Sequence, residues 1–200
     1  MKILIIGSKG QLGYELVRQT RHLGIESEAA DLPEIDITEM KSVRKWVEYS
    51  RASIVINAAA YTNVDKAESE TSLAYAVNSE GPKQIAEACT DAGISLFHIS
   101  TDYVFNGKSK TPYRESDPVK PLGIYGKSKE NGERNVRKSL KEHIIIRTSW
   151  LYGVHGHNFV KTMLRLGKEK PVLRVVADQF GSPTFAADLA EALLIVARKI

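Results

Sequence analysis

Gly7-Ser8-Lys9-Gly10-Gln11-Leu12-Gly13 sets three glycines at intervals of three directly behind an uninterrupted apolar run at residues 3–6. A run that is apolar on every residue suits a strand buried on both faces of a parallel sheet. Beyond the glycines, Leu12, Leu16, Val17 and Leu23 recur at roughly helical spacing, and Gly24 stands where that helix would end. Strand, glycine turn and helix in this order open a βαβ unit. Glycine is needed where the chain turns sharply, where a phosphate must approach the main chain, and where helix and strand pack closely, while the first helical N–H groups face phosphate oxygens. Gly7, Gly10, Gln11, Leu12 and Gly13 are therefore candidate cofactor-binding residues. The interval between the first two glycines is one residue longer than in G-x-G-x-x-G, and an ordinary glycine-rich turn is the alternative.

The alternation continues to the end of the chain. Strands are predicted over 25–30, 53–58, 94–100, 143–149 and 172–177, and helices over 38–49, 72–92, 124–142, 159–166 and 187–199. The pattern predicts an α/β fold, a doubly wound Rossmann-type parallel sheet with helices on both faces. A loop over 106–123 carries Pro112, Pro118 and Pro121, and connections of this length usually carry function. At 200 residues and 42% hydrophobic content the chain can bury one sizeable core, which excludes a disordered tail or a fibre. The net charge of +4 tilts the surface toward an anionic small molecule, and without a dense basic block a nucleic-acid partner is not expected. Arg134, Arg137, Lys138 and Lys141, interspersed with Glu133 and Glu142, read as a plain exposed helix face. Cys89 stands alone in a helical run, so neither a disulfide nor a multi-cysteine metal site is available within one chain. His155-Gly156-His157 lacks a third ligand at recognisable spacing and reads as a hydrogen-bonded loop, and no metal is assigned. No apolar run is long enough to span a bilayer, and with no secretory leader evident a cytoplasmic protein is expected.

Several residues fall where strand ends meet a ligand in such a sheet. Asp31, after the second strand, lies near the distance at which an acid meets adenosine ribose hydroxyls, and Asp36 with Ile37 is a second candidate lining for the adenine. Solvated loop residues, or a helix cap at Asp36, are the alternatives. Ala58, Ala59 and Ala60 would let a dinucleotide lie against the backbone. Lys9 attracts a 2′-phosphate as readily as Asp31 attracts a 2′-hydroxyl, so both NADPH and NADH remain candidates. In Tyr125-Gly126-Lys127-Ser128-Lys129 the first and last residues share a helical face, and an ammonium beside a phenol would lower its pKa and equip it as a proton donor to a carbonyl. Thr101, closing a predicted strand, supplies a hydroxyl that converges on the same oxygen.

These motifs, with the stretches 57–68, 147–153 and 178–184, resemble the extended short-chain dehydrogenase/reductase family across the whole chain, and within it the nucleotide-sugar reductases. The resemblance implies Tyr125 as the acid, Lys129 as its partner and nicotinamide-ribose ligand, and Thr101 as the polarising hydroxyl. It places Asp102 and Trp150 against the sugar nucleotide, with core packing the other reading of Trp150. The implied reaction is NAD(P)H-dependent reduction of the C4 keto group of a dTDP-linked 4-dehydro-6-deoxyhexose, dTDP-4-dehydro-L-rhamnose giving dTDP-L-rhamnose. A non-catalytic NAD(P)-binding regulatory subunit and an epimerase are the rivals. Related dehydratases are expected to carry Glu after Thr-Asp, where this chain has Tyr103, so elimination lacks an acid/base group. The expected organisation is a cofactor domain with the catalytic residues over 1–150 and a partial substrate-side region over 151–200, short relative to the family. A homodimer is the expected assembly, with no membrane partner.

Overall fold

The computed structural model describes residues 1–200. Five parallel strands, β1 (Lys2–Ile6), β2 (Glu26–Ala30), β3 (Ile54–Asn57), β4 (Ser95–Thr101) and β5 (His143–Thr148), pair in the order β2-β1-β3-β4-β5. Successive side chains on a strand face opposite sides of a sheet, so a strand covered on both sides must be apolar at every position. Ile3, Leu4, Ile5 and Ile6 are all fully buried. Ile3 and Ile5 meet α1 (Gln11–His22) and α8 (Ala186–Ala197) in a core with Leu12, Leu16, Phe97, Leu193 and Leu194. Leu4 and Ile6 face the other core, built with α2 (Met40–Ser50), α5 (Gly81–Ala92) and α6 (Ile124–Ser139) through Val43, Val47, Ile85 and Val136. The sheet is thus wrapped on both faces. Strand order reverses between β1 and β3, where a doubly wound sheet opens a crevice at the carboxyl ends of its strands.

Short helices α3 (Val64–Ala67) and α4 (Thr71–Tyr75) precede α5, and α7 (Phe159–Glu169) follows a two-residue strand β6 (Leu151–Tyr152) that pairs in parallel with β7 (Thr184–Phe185). No helix is long and apolar enough to cross a membrane. The single helix expected over 72–92 is interrupted. Residues 76–80 form a π-helical turn between α4 and α5, an inserted residue that a 3.6-residue period does not reveal. The helix expected to reach 142 ends at Ser139, because Leu140 turns extended and drops into the core. The strand at 143–149 is half-buried along its length, as befits the sheet edge, instead of fully enclosed. The strand expected over 172–177 does not form. Its valines are exposed and no strand pairs with them, and β-branched residues favour a strand only where a pleated neighbour receives them. Cys89 is buried as a small apolar residue, and burial pushes its thiol up to about 12.

Candidate active site

All five strands of the main sheet run the same way, so the turn after β1, the ends of β2 and β3 and Thr101 at the end of β4 lie along one edge. The glycine turn is built by close approach. Gly7 has φ +83°, a left-handed conformation, and a Cβ on it would lie 2.5 Å from the Ala59 nitrogen. A Cβ on Gly13 would collide with the Gly7 carbonyl oxygen. No side chain caps α1 and its first turn holds no acid, which leaves the N–H groups of Gln11, Leu12 and Gly13 without an acceptor in the protein. Three unpaired donors at a helix N-terminus fit a dinucleotide diphosphate.

The neighbouring candidates divide. Asp31 accepts the N–H of Lys9 at 2.8 Å and the N–H of Leu32 at 2.8 Å, so its carboxylate is fixed at the turn. Ala58, Ala59 and Ala60 are half-buried beside Gly7. Asp36 accepts the N–H and hydroxyl of its own neighbour Thr38, at 2.9 and 2.7 Å, and serves as a local turn acceptor ahead of α2. The Ile37 side chain is 7% exposed and packs in the core beneath Gly81.

A segment that the glycine pattern does not announce lies over the same turn. His155 Nε2 pairs with the Lys9 carbonyl at 3.0 Å, its ring stacks on Tyr14 at 4.1 Å, and Asn158 Nδ2 donates to Gln11 Oε1 at 3.0 Å. Gly156 sits against the Gln11 side chain. The 155–157 stretch is a hydrogen-bonded loop that ties α7 to the start of α1.

At the other end of the edge, α6 delivers Tyr125 from its first turn. The α6 N-terminus has no side-chain cap of its own, and Glu68 Oε1, from beyond α3, accepts the Ile124 N–H at 2.7 Å. A Cβ on Gly126 would collide with the Tyr103 carbonyl oxygen, so glycine lets α6 press onto the turn that follows Thr101. Tyr103 meets the Tyr125 ring edge-on at 5.5 Å. Burial pushes the Tyr125 phenol up to about 12, with the Thr101 hydroxyl beside it pulling the other way. Burial likewise raises the Asp102 carboxyl, against the hydrogen bond from Thr101.

The expected tuning of Tyr125 by Lys129 is not what the geometry provides. Lys129 Nζ donates to the Ile99 carbonyl at 2.7 Å, in a fully buried setting that drives its pKa down to about 8, opposed by Glu133 one turn further on. Glu133 is buried rather than part of an exposed charged face. It accepts the Ser100 hydroxyl at 2.6 Å, Arg147 through Nε at 2.9 Å and Nη2 at 2.7 Å, and Arg137 at 2.9 Å. Burial favours its neutral form, but these donors hold the carboxyl below its usual range. Arg147 also lies over the Phe105 ring at 4.9 Å, and Phe105 stacks on Tyr113 at 4.2 Å, which fastens the 106–123 loop to the sheet. The signal for Glu133 was its place four residues beyond Lys129, on the face that α6 turns inward.

Behind the crevice, Asn57 Nδ2 lies 3.2 Å from His98 Nδ1, and His98 Nε2 is buried with no partner. Asn78, in the π-helical turn, pairs with both backbone polar groups of Tyr61 and with the Ser128 hydroxyl. Trp150, at the end of β5, adopts φ +46° and is 45% exposed beside Gly181. It is a surface aromatic at the sheet edge, not a core one.

The chain is similar to known proteins over nearly its whole length. The Bacillus subtilis spore coat polysaccharide biosynthesis protein SpsK is 49% identical over 96% of this chain and 68% of its own length. The dTDP-4-dehydrorhamnose reductase of Aggregatibacter actinomycetemcomitans is 46% identical over the whole chain and 68% of its own length. The crystal structure of dTDP-4-dehydrorhamnose reductase from Bacillus anthracis in complex with NADP superposes with a TM-score of 0.95 at 43% identity, covering 98% of this chain and 70% of that one. The chain therefore spans about two thirds of the length of the relatives it matches. The RmlD substrate binding domain family matches residues 1–200, and the chain belongs to that family.

Proposed function

We propose that the chain carries out NAD(P)H-dependent reduction of the C4 keto group of a dTDP-linked 4-dehydro-6-deoxyhexose, dTDP-4-dehydro-L-rhamnose yielding dTDP-L-rhamnose. The observation that carries the reading is the placement of Tyr125 and Thr101 side by side at the end of β4, on the edge where α1 holds three unpaired N–H groups. The reductases of Aggregatibacter actinomycetemcomitans and Bacillus anthracis support the substrate class, and the NADP complex supports the cofactor.

Gln11, Leu12 and Gly13 would hold the diphosphate through their N–H groups, and Asp31 keeps unused lone pairs for the adenosine ribose. When bound, NAD(P)H supplies the hydride that reaches C4. Tyr125 then gives its phenolic proton to the C4 oxygen as negative charge develops there. A phenol whose pKa is pushed up to about 12 is protonated at neutral pH and holds its proton until that oxygen becomes the stronger base. The Thr101 hydroxyl orients the oxygen. Lys129 has two N–H donors beyond the one given to Ile99, and these are offered to the nicotinamide ribose. Asp102 and the exposed Trp150 line the sugar-nucleotide side. Residues 1–150 form the cofactor and catalytic part, and 151–200 contribute the start of the substrate side.

Tyr125→Phe tests the reading. Turnover of the sugar nucleotide, followed by nicotinamide absorbance, is expected to fall by about 10²- to 10⁴-fold while dinucleotide affinity is retained. Unchanged turnover removes Tyr125 as the acid. Wild-type chain that binds the dinucleotide without net consumption points instead to an epimerase or a regulatory subunit.

A further inference from the structure

Three charged side chains converge beyond β2, where the fold places an adenosine ribose. Each oxygen of Asp31 accepts one backbone N–H, one from Lys9 and one from Leu32, and keeps a lone pair free. The Lys9 ammonium turns away to the Leu32 carbonyl and to Glu34, whose Oε2 lies 3.2 Å from Nζ. Glu34 is anchored through its carbonyl, which accepts Trp46 Nε1 at 2.7 Å, so its carboxylate has a fixed base from which to hold Lys9. A bond to its own backbone and the Lys9 ammonium both keep the Glu34 carboxyl below its usual range. The side chains of Lys9 and Glu34 are 60% and 52% exposed and free to part when a stronger partner arrives.

We propose that the Lys9–Glu34 ion pair is the selector for the ribose 2′ group of the cofactor, an inference that rests on the reductase reading. With the pair closed, Asp31, Glu34 and Lys9 together present one net negative charge, which accepts a 2′-hydroxyl and opposes a 2′-phosphate. A 2′-phosphate brings about −1.5 to −2 charges of its own at neutral pH. It binds more tightly when Lys9 leaves Glu34 and turns to it, so Glu34 competes with NADPH for one ammonium while leaving NADH unaffected. The backbone N–H of Lys9, which fixes Asp31, survives any substitution of the side chain. Lys9 thus supplies structure through its main chain and selectivity through its ammonium.

The test is a comparison of dissociation constants for NADPH and NADH, by titration calorimetry on the 200-residue chain carrying Glu34→Gln, Lys9→Gln or both. Glu34→Gln is expected to raise NADPH affinity about fivefold, the scale of an exposed ion pair, with NADH moved less than twofold. Lys9→Gln lowers NADPH affinity by a similar factor, and in that background Glu34→Gln gains less than about twofold, because Glu34 acts by holding Lys9. An NADPH-to-NADH ratio that stays within twofold in both single variants overturns the selector. A Glu34→Gln gain of equal size with and without Lys9 also overturns it, in favour of plain repulsion. A wild-type chain that binds neither dinucleotide overturns the reductase reading and the selector together, whereas binding of both with an unmoved ratio overturns the selector alone.

Discussion

Burial drives Tyr125 and Lys129 toward their neutral forms, and the two shifts have different consequences. For the phenol, a pKa pushed up to about 12 keeps the proton in place at neutral pH. For the lysine, a folded value of about 8 against an ordinary 10.5 means that the folded chain carries an ammonium it disfavours. Between pH 8 and 10.5 the unfolded chain binds more protons at this residue than the folded one, so its contribution to stability rises with pH across that window. At pH 7 the charge is a cost. Lys129→Met is therefore expected to raise stability at pH 7 by about 1–3 kcal/mol, read from denaturant midpoints, with the gain shrinking toward about pH 10. On the proposed role of Lys129 as a ribose donor, the same variant is also expected to lose dinucleotide affinity. A variant that melts lower at pH 7 would show that the bond to Ile99 outweighs the desolvation. Residue type and spacing made Gly7 to Gly13, Thr101 and the Tyr125–Lys129 pair legible in the sequence, since each needs only its own strand end or helical turn to be placed. The direction of the Lys129 ammonium was not legible, because it depends on a β4 carbonyl 30 residues away. Nor was the burial of Glu133, whose partners Ser100 and Arg147 arrive from two other strands.

Elements show the same division between local and long-range causes. Strands β1, β3 and β4 are readable because apolar runs closed by small or polar residues leave no other way to bury both faces. Residues 172–177 are also mostly apolar but have no neighbour to pair with, and composition cannot report a missing partner. Helix α6 shows what periodicity leaves out. Its 16 residues place Tyr125 only because two contacts from outside the helix set its first turn, the Glu68 carboxylate on Ile124 N–H and the Gly126 approach to the Tyr103 carbonyl. Glu68→Ala removes an acceptor from a helix N-terminus and is expected to cost about 1 kcal/mol, measured as a shift in denaturant midpoint with an unchanged slope. Gly126→Ala sets a methyl group against backbone that has no flexible side chain to yield. The expected loss is about 1–3 kcal/mol, and a rise in the KM for the sugar nucleotide is expected alongside it as the Tyr103 turn is displaced. Neutral behaviour of Gly126→Ala would mean that α6 can back away from β4 without cost.

In the molecule as a whole, covered and uncovered surfaces are unevenly distributed. The sheet is sealed from β2 to β4 by two cores, and α8 closes the second of them against α1, with Gln19 Nε2 donating to the Ala187 carbonyl at 2.7 Å. Beyond β5 the pattern changes. Helix α7 has no buried residue, yet Phe159, Val160 and Leu164 lie on it, and Val172, Val175, Val176 and Phe180 follow in the exposed segment behind it. Phe180 is 94% exposed. Helix α7 is held by polar ties instead, among them Asn158 to Gln11 and Lys161 Nζ to the Val154 and Gly156 carbonyls at 3.0 and 2.8 Å. Apolar side chains that gain nothing from the fold of residues 1–200 remain free to bury themselves against something else. Two measurements separate these roles. The chain is expected to enhance the fluorescence of an apolar dye such as ANS under native conditions, and Phe159→Ser, Leu164→Ser and Phe180→Ser combined are expected to remove most of the enhancement. Because none of the three is buried, the triple variant should melt within about 0.5 kcal/mol of the parent, as surface substitutions do. Loss of dye binding with stability preserved would show that these side chains are exposed in solution, whereas a large drop in stability would mean that α7 packs on the sheet in solution more closely than its exposure allows.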